Sequence, residues 1–394
     1  MNFLSSLSKS SILINLVSEQ PVPNLVPALD PRFQVSEVIL LVTDAMRPQA
    51  KRLQRVCKRH DLSCRVWPDA VPPYDPQRME DICIDLIESF PEGQSLLLNA
   101  TGGTKVMALA AANLFGHLER GEVIYVDSFQ GLIHNLYPSK EKAWQLEPVL
   151  GISDYLTAYG MHPKKPEKRW LKGEALPSLP VSTRMLAENA PHLDKFLGAL
   201  NFVGSGVLAS DQTGNPWPRT KSLERPFPTG RFPDKILSIL EREELVQVKN
   251  GLVVFTNEAA ARYLSGGWLE EFTFAQASAA GADEVVLSQV VDWETPGEKN
   301  VRNEFDCLLI KNNRLFLLEC KTMRFAEKGS DVLYKLDSLT ESSTGIYGRG
   351  ALVSARRPDE YMQSRAASRK HRVFGPEELK DLQKTLRQWL AGLG

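Results

Sequence analysis

The sequence has no excess of charge of either sign, since 47 lysines and arginines stand against 48 aspartates and glutamates in 394 residues. A chain that binds nucleic acid or an anionic membrane over much of its surface carries a strong positive balance. Net charge therefore indicates no partner, and any surface for nucleic acid has to be a local patch. The hydrophobic fraction of 43% is that of an ordinary globular protein, and the length suffices for two or three domains.

The usual sequence signals of thiol or imidazole metal centres are also missing. The five cysteines form no CxxC pair, and none of the six histidines lies at metal-ligand spacing from another. An odd number of cysteines in apolar surroundings favours reduced thiols in a cytoplasm. The N-terminal apolar run 12–17 is too short to cross a bilayer, and no basic n-region precedes it. We therefore expect a cytoplasmic protein.

The first 150 residues alternate apolar runs with amphipathic stretches of helical period. The apolar runs predict strands at 12–17, 37–43, 95–100 and 122–127. The helical stretches between them are 47–60, 76–90 and 104–118. This alternation is typical of a parallel, doubly wound α/β sheet, in which ligands bind at the carboxyl ends of the strands.

Polar residues follow three of these predicted strands, where a ligand would bind. Ser18 and Gln20 follow the first strand, Thr43 follows the second, and the turn 99–105 follows the third. The two glycines of that turn let the backbone approach a ligand, and the next helix offers free N–H donors to a phosphate. The spacing is neither that of a P-loop nor GxGxxG. A ligand-free Gly-Gly turn capped by Thr104 is the alternative.

Residues 303–321 predict the second notable feature, a hairpin of two strands. Apolar residues dominate both halves, and Asn312-Asn313 between them can adopt the positive φ of a tight turn. An apolar hairpin of this kind belongs in the core of a sheet.

Four charged residues interrupt that apolar pattern. Period two places Glu304 and Asp306 on one face of the first strand, and Glu319 and Lys321 on one face of the second. Buried charges cost free energy unless they are paired. A divalent metal beside a scissile phosphate would pair them: Asp306 and Glu319 offer hard oxygen ligands to Mg²⁺ or Mn²⁺, and Lys321 can orient the attacking water. An ordinary Asp–Lys pair at the solvent end of a hairpin is the alternative.

Asp306 followed by Glu319-Cys320-Lys321 resembles the motif of the PD-(D/E)xK nuclease superfamily, whose core sheet carries such a hairpin. The chain reads Asn-Glu-Phe-Asp where the motif has Pro-Asp. Glu304 on the same face therefore stays open as the metal ligand in place of Asp306.

In that superfamily a helix before the hairpin often contributes a further glutamate to the metal site. The run Gly-Gly-Trp-Leu-Glu-Glu at 266–271 resembles this helix in CARF-fused nucleases activated by cyclic tetra-adenylate. The resemblance implies Glu270 as a catalytic residue and metal ligand. The apolar stripe that begins at Trp268 places Glu271 nearer the buried face instead.

The N-terminal strand ends resemble those of the CARF domain, the Rossmann-like sensor of CRISPR-linked proteins that binds cyclic oligoadenylates across a dimer axis. The resemblance rests on residues 16–21 and on the turn 99–105. It implies activator contacts from residues with hydroxyl, amide, glycine or lysine chemistry, namely Ser18, Gln20, Thr43, Asn99, Thr101, Gly102, Gly103, Thr104 and Lys105. Backbone amides and a lysine suit a ring of phosphates, and hydroxyl and amide side chains suit adenine.

The strand–helix alternation stops near residue 151, and residues 151–265 are predicted to be a connector. Two stretches, 161–181 and 204–233, are rich in proline together with lysine or glycine. Residues 234–264 predict helix, hairpin and helix, which resembles part of a winged helix. Since Lys249 is the only basic residue of that hairpin, we expect packing and not DNA binding.

Positive charge is concentrated near the C-terminus. The basic cluster consists of Arg356, Arg357, Arg365, Arg369, Lys370, His371 and Arg372. Beside a catalytic hairpin, such a cluster would follow a nucleic-acid backbone. A solvated helix face is equally consistent with the sequence.

We therefore predict a CARF sensor domain at 1–150, a connector at 151–265 and a restriction-endonuclease-like α/β domain at 266–394. The resemblances imply a homodimeric, Mg²⁺- or Mn²⁺-dependent endonuclease that cleaves DNA or RNA, activated by a cyclic oligoadenylate in type III CRISPR antiviral defence. A ligand-responsive DNA-binding regulator without nuclease activity is one alternative, but it leaves Glu319 and Lys321 without a purpose. A constitutive repair or restriction nuclease leaves the polar strand ends unexplained.

Overall fold

The structure, a computed structural model, describes residues 10–139, 143–208, 230–249, 252–294, 301–323, 329–345 and 348–392. In these residues the chain forms two seven-stranded sheets and one two-stranded sheet, with helices packed on both large sheets. The predicted α/β fold class is confirmed. None of the helices in these ranges is long and apolar enough to cross a membrane.

The first sheet is built by the N-terminal part of the chain. Its strands are β1 (Ser11–Leu16), β2 (Val35–Leu41), β3 (Ser63–Val66), β4 (Ser95–Asn99), β5 (Gly121–Asp127), β6 (Leu132–Tyr137) and β7 (Trp144–Gln145). The accompanying helices are α1 (Val22–Leu29), α2 (Arg47–Arg59), α3 (Pro76–Glu88), α4 (Lys105–Gly116) and α5 (Ile152–Ala158). The spatial order is β3-β2-β1-β4-β5-β6-β7, with β1 to β5 parallel and β6 and β7 antiparallel.

Both faces of this sheet are buried, as expected for a doubly wound fold. Leu13 and Leu40 lie in a core shared with α1, α2 and α5, whereas Ile14 and Leu98 lie in a second core shared with α3 and α4. Alternate residues of one strand thus face opposite cores, which explains the continuous apolar runs.

The second large sheet contains β8 (Met161–Pro163), β9 (Lys168–Leu171), β12 (Glu284–Trp293), β13 (Arg302–Lys311), β14 (Arg314–Lys321), β15 (Arg349–Ser354) and β16 (Arg372–Phe374). Its helices are α10 (Trp268–Ala279), α11 (Gly329–Thr344), α12 (Glu360–Ser368), α13 (Pro376–Leu379) and α14 (Leu382–Leu390). Strands β12 to β14 are antiparallel, whereas β14, β15 and β16 are parallel. The order is β16-β15-β14-β13-β12-β8, and β9 also pairs with β12.

A small module of helices and one hairpin lies in the sequence after β9 and before α10. It contains α6 (Val181–Asn189), α7 (Asp194–Leu208), α8 (Arg231–Arg242), the hairpin β10 (Val246–Lys249) and β11 (Leu252–Phe255), and α9 (Glu258–Arg262). The predicted helix, hairpin and helix are present, and the turn 250–251 lies outside the described residues. Ile236, Val253 and Phe255 are buried in the core of the second sheet, so this module packs against the C-terminal part.

The first part of the predicted connector forms strands of the second sheet. Strands β8 and β9 pair antiparallel with β12, so residues 161–163 and 168–171 form an edge of the second sheet. The composition of this stretch suggested a solvated linker, but its basic side chains form ion pairs with acidic residues of the C-terminal part. Lys164 lies 2.6 Å from Asp292, and Arg169 lies 2.6 Å from Glu284. The linker interpretation of this stretch is therefore wrong.

The turn of the β13–β14 hairpin attaches the second sheet to the segment that leaves the first. Asn312 and Asn313 adopt φ of 49° and 59°, which confirms the predicted turn. Asn313 is 2% exposed, and its Oδ1 accepts hydrogen bonds from the backbone N–H groups of Val149 at 2.9 Å and Leu150 at 3.0 Å. Its Nδ2 donates to the carbonyl oxygen of Glu147 at 2.6 Å. One side chain therefore joins the two parts of the molecule.

Replacing Asn313 with glycine should lower the free energy of unfolding by about 2 kcal/mol or more, because two partly or fully buried N–H groups lose their acceptor while positive φ stays accessible. Urea unfolding of Asn313→Gly measures the loss. Asn312→Gly is the matched control, since Asn312 is exposed, has similar φ and should change stability by under about 0.5 kcal/mol. Equal losses in the two variants would contradict the proposed attachment.

Candidate active site and ligand pocket

Asp306 of β13 and Glu319 of β14 face one another across the predicted hairpin. Cys307 pairs with Leu318, so the residues next to them, Asp306 and Glu319, are neighbours across the ladder. Asp306 Oδ2 accepts hydrogen bonds from the backbone N–H of Cys320 at 2.7 Å and from Lys321 Nζ at 3.3 Å. The structure therefore brings Asp306, Glu319 and Lys321 together, as the sequence pattern predicted.

Glu319 is fully buried and is held by two lysines. Lys321 Nζ lies 2.8 Å from Glu319 Oε1, and Lys335 Nζ of α11 donates to the same oxygen at 3.0 Å. Glu319 Oε2 is buried and accepts no hydrogen bond in the described residues. Lys335 was not predicted, because a lysine on a helix after the motif carries no signal until α11 packs on the sheet.

The glutamate expected from the preceding helix is Glu270 of α10. Burial raises the pKa of Glu270 to about 7, and Asp306 adds to the rise whereas Lys321 opposes it. Glu271 points to a different partner, since it forms an ion pair with Lys168 at 2.7 Å. The helical wheel favoured Glu271 because it assumed one narrow apolar stripe, whereas α10 is buried along a broad arc.

The three groups at the hairpin perturb one another. Burial, together with the charge of Glu319, raises the pKa of Asp306. Burial alone would lower the pKa of Lys321, but Asp306 and Glu319 hold it above the ordinary lysine value. Glu304 lies exposed at the edge of the group. The site is thus a partly buried cluster of carboxylates in which burial and neighbouring negative charge disfavour the ionised forms of Asp306 and Glu270.

The donor set suits a hard divalent cation. Carboxylate oxygens are the ligands that Mg²⁺ and Mn²⁺ prefer. Glu319 Oε2 is buried without a hydrogen-bond donor in the described residues, and a bound cation would compensate its charge. As they stand, no three His, Cys, Asp or Glu side chains within the described ranges lie close enough to hold a metal. Lys321 and Lys335 occupy Glu319 Oε1 instead, so the carboxylates would have to turn from the lysines to a metal.

A cavity of about 690 Å³ opens at the carboxyl ends of β1 and β2 and beside the start of α4. Of the predicted activator contacts, those that line it are Ser18, Thr43, Gly103 and Thr104. The opposite wall is the loop Ala70–Tyr74, which sequence analysis did not identify. This loop follows the short strand β3, whose carboxyl end lies at the same edge of the sheet.

Three other predicted contacts form the turn itself. Asn99 is fully buried, and its Nδ2 donates to Asn15 Oδ1 at 2.9 Å and to the Pro23 carbonyl at 2.8 Å. Thr101 Oγ1 accepts from the backbone N–H of Val126 at 2.7 Å. A Cβ on Gly102 would lie 1.9 Å from the carbonyl oxygen of Leu16. Packing and hydrogen bonding alone therefore account for these residue types.

The last two predicted contacts lie off the cavity lining. Lys105 is exposed at the first position of α4, next to Thr104, whose Oγ1 caps the helix by accepting from Met107 N at 3.2 Å. Gln20 Oε1 accepts a hydrogen bond from Tyr159 Oη at 3.0 Å. Gln20 thus contacts the segment that leaves the first sheet.

Comparison with protein families assigns both parts of the chain. Residues 12–155 match the family model described as the Card1 CARF domain, and residues 257–393 match that of the Card1-like endonuclease domain. The chain joins a Card1-type CARF domain to a Card1-like endonuclease domain. The resemblances to a CARF sensor and to a CARF-fused nuclease are thereby confirmed.

Solved structures share the fold of this chain over most of its length. Protein VC1899 from Vibrio cholerae is 25% identical over 98% of this chain and 99% of its own, with a TM-score of 0.81. Can2 from Sulfobacillus thermosulfidooxidans, solved with cyclic tetra-adenylate, is 22% identical over 96% and 99%, with a TM-score of 0.75. A type III CRISPR defence DNA nuclease activated by cyclic oligoadenylate is 16% identical over 89% of this chain and 46% of its own, with a TM-score of 0.53.

The last two structures are similar in fold alone. No curated protein sequence matches this chain.

The raised pKa of Glu270 predicts a pH-dependent stability. Between about pH 4.5 and 7 the folded protein holds a proton on Glu270 that the unfolded chain has lost, so wild-type stability falls as pH rises through this window. Glu270→Gln lacks this titration, and its stability relative to wild type should rise by up to about 3 kcal/mol from pH 4.5 to 7. Urea unfolding at several pH values measures it. Glu271→Gln should show no such rise, and the same rise there would refute the assignment.

Proposed function

We propose that this protein is a metal-dependent endonuclease activated by a cyclic oligoadenylate, with cyclic tetra-adenylate as the first candidate, in a type III CRISPR defence system. The observation that carries the proposal is the grouping of Asp306, Glu319 and Lys321 inside the matched endonuclease domain, behind a matched CARF domain. The proposed substrate is the phosphodiester backbone of DNA, RNA or both.

In the proposed reaction Asp306, Glu319 and Glu270 hold Mg²⁺ or Mn²⁺. When bound, the metal offsets charge on the scissile phosphate and lowers the pKa of water. Lys321, whose pKa Asp306 and Glu319 raise in the metal-free site, would donate hydrogen bonds to the attacking water or to a phosphate oxygen. Buried neighbours such as Cys320 fix the hairpin backbone and hence the position of these groups.

The proposed activator site is the cavity at the strand ends. The N-terminus of α4, capped by Thr104, offers N–H donors and positive potential to a phosphate, while Ser18 and Thr43 offer hydroxyl groups. Tyr74 on the opposite wall is 77% exposed and presents a free ring face to an adenine. A cyclic ligand with two-fold symmetry suits a pocket shared by two copies, which supports a homodimer. The complex of Can2 with cyclic tetra-adenylate supports this ring size.

Contacts between the two parts support gating of the nuclease by the sensor. Tyr159, which donates to Gln20, also packs on Gly345, where a Cβ would lie 2.2 Å from Tyr159 Oη. Tyr155 stacks on Tyr159 and donates to the carbonyl oxygen of Thr344 at 3.0 Å. Both tyrosines therefore contact the C-terminal end of α11.

Helix α11 also reaches the active site, since it carries Lys335 on Glu319. A ligand that displaces Gln20 would move Tyr159 and hence the C-terminal end of α11. A shift of that helix would change the ion pair between Lys335 and Glu319. This coupling requires different contacts in the free and bound states. In the free state Lys335 competes with a metal for Glu319 Oε1.

The proposed activity can be measured with supercoiled plasmid, single-stranded DNA and single-stranded RNA in Mn²⁺, with and without cyclic tetra-adenylate. Cleavage should require the activator, and Glu319→Gln should reduce it by at least about 10³-fold while the variant still binds the activator. Cleavage without activator would refute gating. Absence of cleavage from all three substrates, with activator bound, would favour the ligand-responsive regulator.

The role of Lys335 can be tested by Mn²⁺ binding, followed by electron paramagnetic resonance without any substrate. Lys335→Met should tighten Mn²⁺ binding in the absence of activator by about tenfold, because a competing cation leaves Glu319. In wild type, cyclic tetra-adenylate should produce the same tightening, and Tyr159→Phe should weaken that effect. Lys384→Met, an exposed lysine on α14, is the control. Unchanged Mn²⁺ affinity in Lys335→Met would refute the competition.

A further inference from the structure

The basic cluster near the C-terminus is divided between two ends of the second sheet. Arg356 and Arg357 follow β15 at the catalytic end, where Arg356 is buried against Asp194 at 2.7 Å and Arg357 pairs with Glu377. The segment Arg369–Arg372 lies at the opposite end, where β16 begins. The expectation that the whole cluster lies beside the catalytic hairpin is therefore wrong.

A second cavity, of about 580 Å³, opens at that opposite end, where β14, β15 and β16 start. Five lysines and arginines line it, namely Arg314, Arg349, Arg369, Lys370 and Arg372. No aspartate or glutamate is among the described lining residues. In a protein with 47 basic and 48 acidic residues, this segregation of charge marks a local binding surface for anions.

The basic cavity is distinct from the catalytic site. Arg314 begins β14 and Lys321 ends it, so seven residues at about 3.3 Å each place their backbones about 23 Å apart. Arg349 pairs with Phe316, near the Arg314 end of the same strand. A ligand in this cavity would not reach the carboxylates of Asp306 and Glu319.

Only part of the positive charge is neutralised. Arg369 lies 3.0 Å from Asp337, and Arg372 pairs with Glu378. Arg349 and Lys370 have no acidic partner within the described part of the chain. Because the low-dielectric walls of a cleft focus field lines, the remaining positive potential is strongest inside the cavity.

An aromatic side chain stands at the mouth. Phe129, from the turn between β5 and β6, lines the cavity and is 77% exposed. The turn is fixed to the second sheet by Arg314, which donates to the carbonyl oxygens of Ser128 and Phe129. Cations that contact phosphates together with an exposed ring that stacks on a base are the elements of single-strand recognition.

We propose that this cavity binds a single strand of nucleic acid through its phosphates, as a contact remote from the bond that is cut. The inference rests on the proposed function, because it assumes that the substrate is nucleic acid. Arg349 and Lys370 would contact phosphates, and Phe129 would stack on one base. The same strand, or its continuation, would then be held at two points about 20 Å apart.

The test uses the full chain with Glu319→Gln, without metal or activator, and labelled 20-nucleotide single strands of DNA and RNA. Fluorescence anisotropy at several salt concentrations gives the slope of log K against log salt. Adding Arg349→Ala and Lys370→Ala should make the slope shallower by about 1.4, or about 0.7 for each lost phosphate contact. Phe129→Ala should weaken binding by about tenfold.

The double variant Arg349→Lys with Lys370→Arg keeps both charges, and its salt slope should equal that of the Glu319→Gln protein. This control distinguishes loss of charge from misfolding. Lys51→Ala with Lys58→Ala, two exposed residues of α2, should leave the slope unchanged. An unchanged slope in the Arg349 and Lys370 variant would overturn the proposal. The proposal would also be overturned if this variant lost self-association without a change in slope. That outcome would indicate that the cavity contacts a second copy of the chain. A protein that shows the expected slopes but never cleaves would refute the nuclease function and leave the cavity assignment intact.

Discussion

The burial of Glu319 is the constraint on which the active site depends. A carboxylate without solvent contact costs several kcal/mol unless cations and hydrogen bonds compensate it. Here two ammonium groups converge on Oε1, and Oε2 has no hydrogen-bond donor in the described residues. In the proposed function a divalent cation would replace the lysines at this buried charge, and that choice would give the site two electrostatic states.

The position of α11 links that choice to the rest of the molecule. One end of the helix meets Tyr155 and Tyr159 beside the sensor, and its middle carries Lys335. Gly345 allows the close approach of Tyr159, which any larger side chain would prevent. A rigid helix of about 24 Å can transmit a small displacement at one end to the other. Asn313 meanwhile fixes the hairpin turn to the segment that leaves the first sheet.

Local patterns predicted the parts of the fold that short-range rules determine. Period two placed Asp306, Glu319 and Lys321 together, and Asn312-Asn313 formed the expected turn with positive φ. Alternation of strand and helix predicted the sensor sheet and the edge that carries its cavity. The sequence could not predict Lys335, because its contact depends on how α11 packs. It also could not show that Asn99, Thr101 and Gly102 are required by the turn itself, since structural and ligand-binding turns share these residue types.

The divided basic cluster shows why adjacency in sequence does not give adjacency in a parallel sheet. Strand β15, helix α12 and strand β16 form one crossover, in which the chain leaves a strand at its carboxyl end and enters the next at its amino end. Residues just after β15, such as Arg356, must therefore lie at the catalytic edge, and residues just before β16, such as Lys370, must lie at the other. The two halves of a basic run that spans such a crossover therefore lie at opposite ends of the sheet, about one strand length apart. Two surfaces of different function can thus arise from one stretch of positive charge.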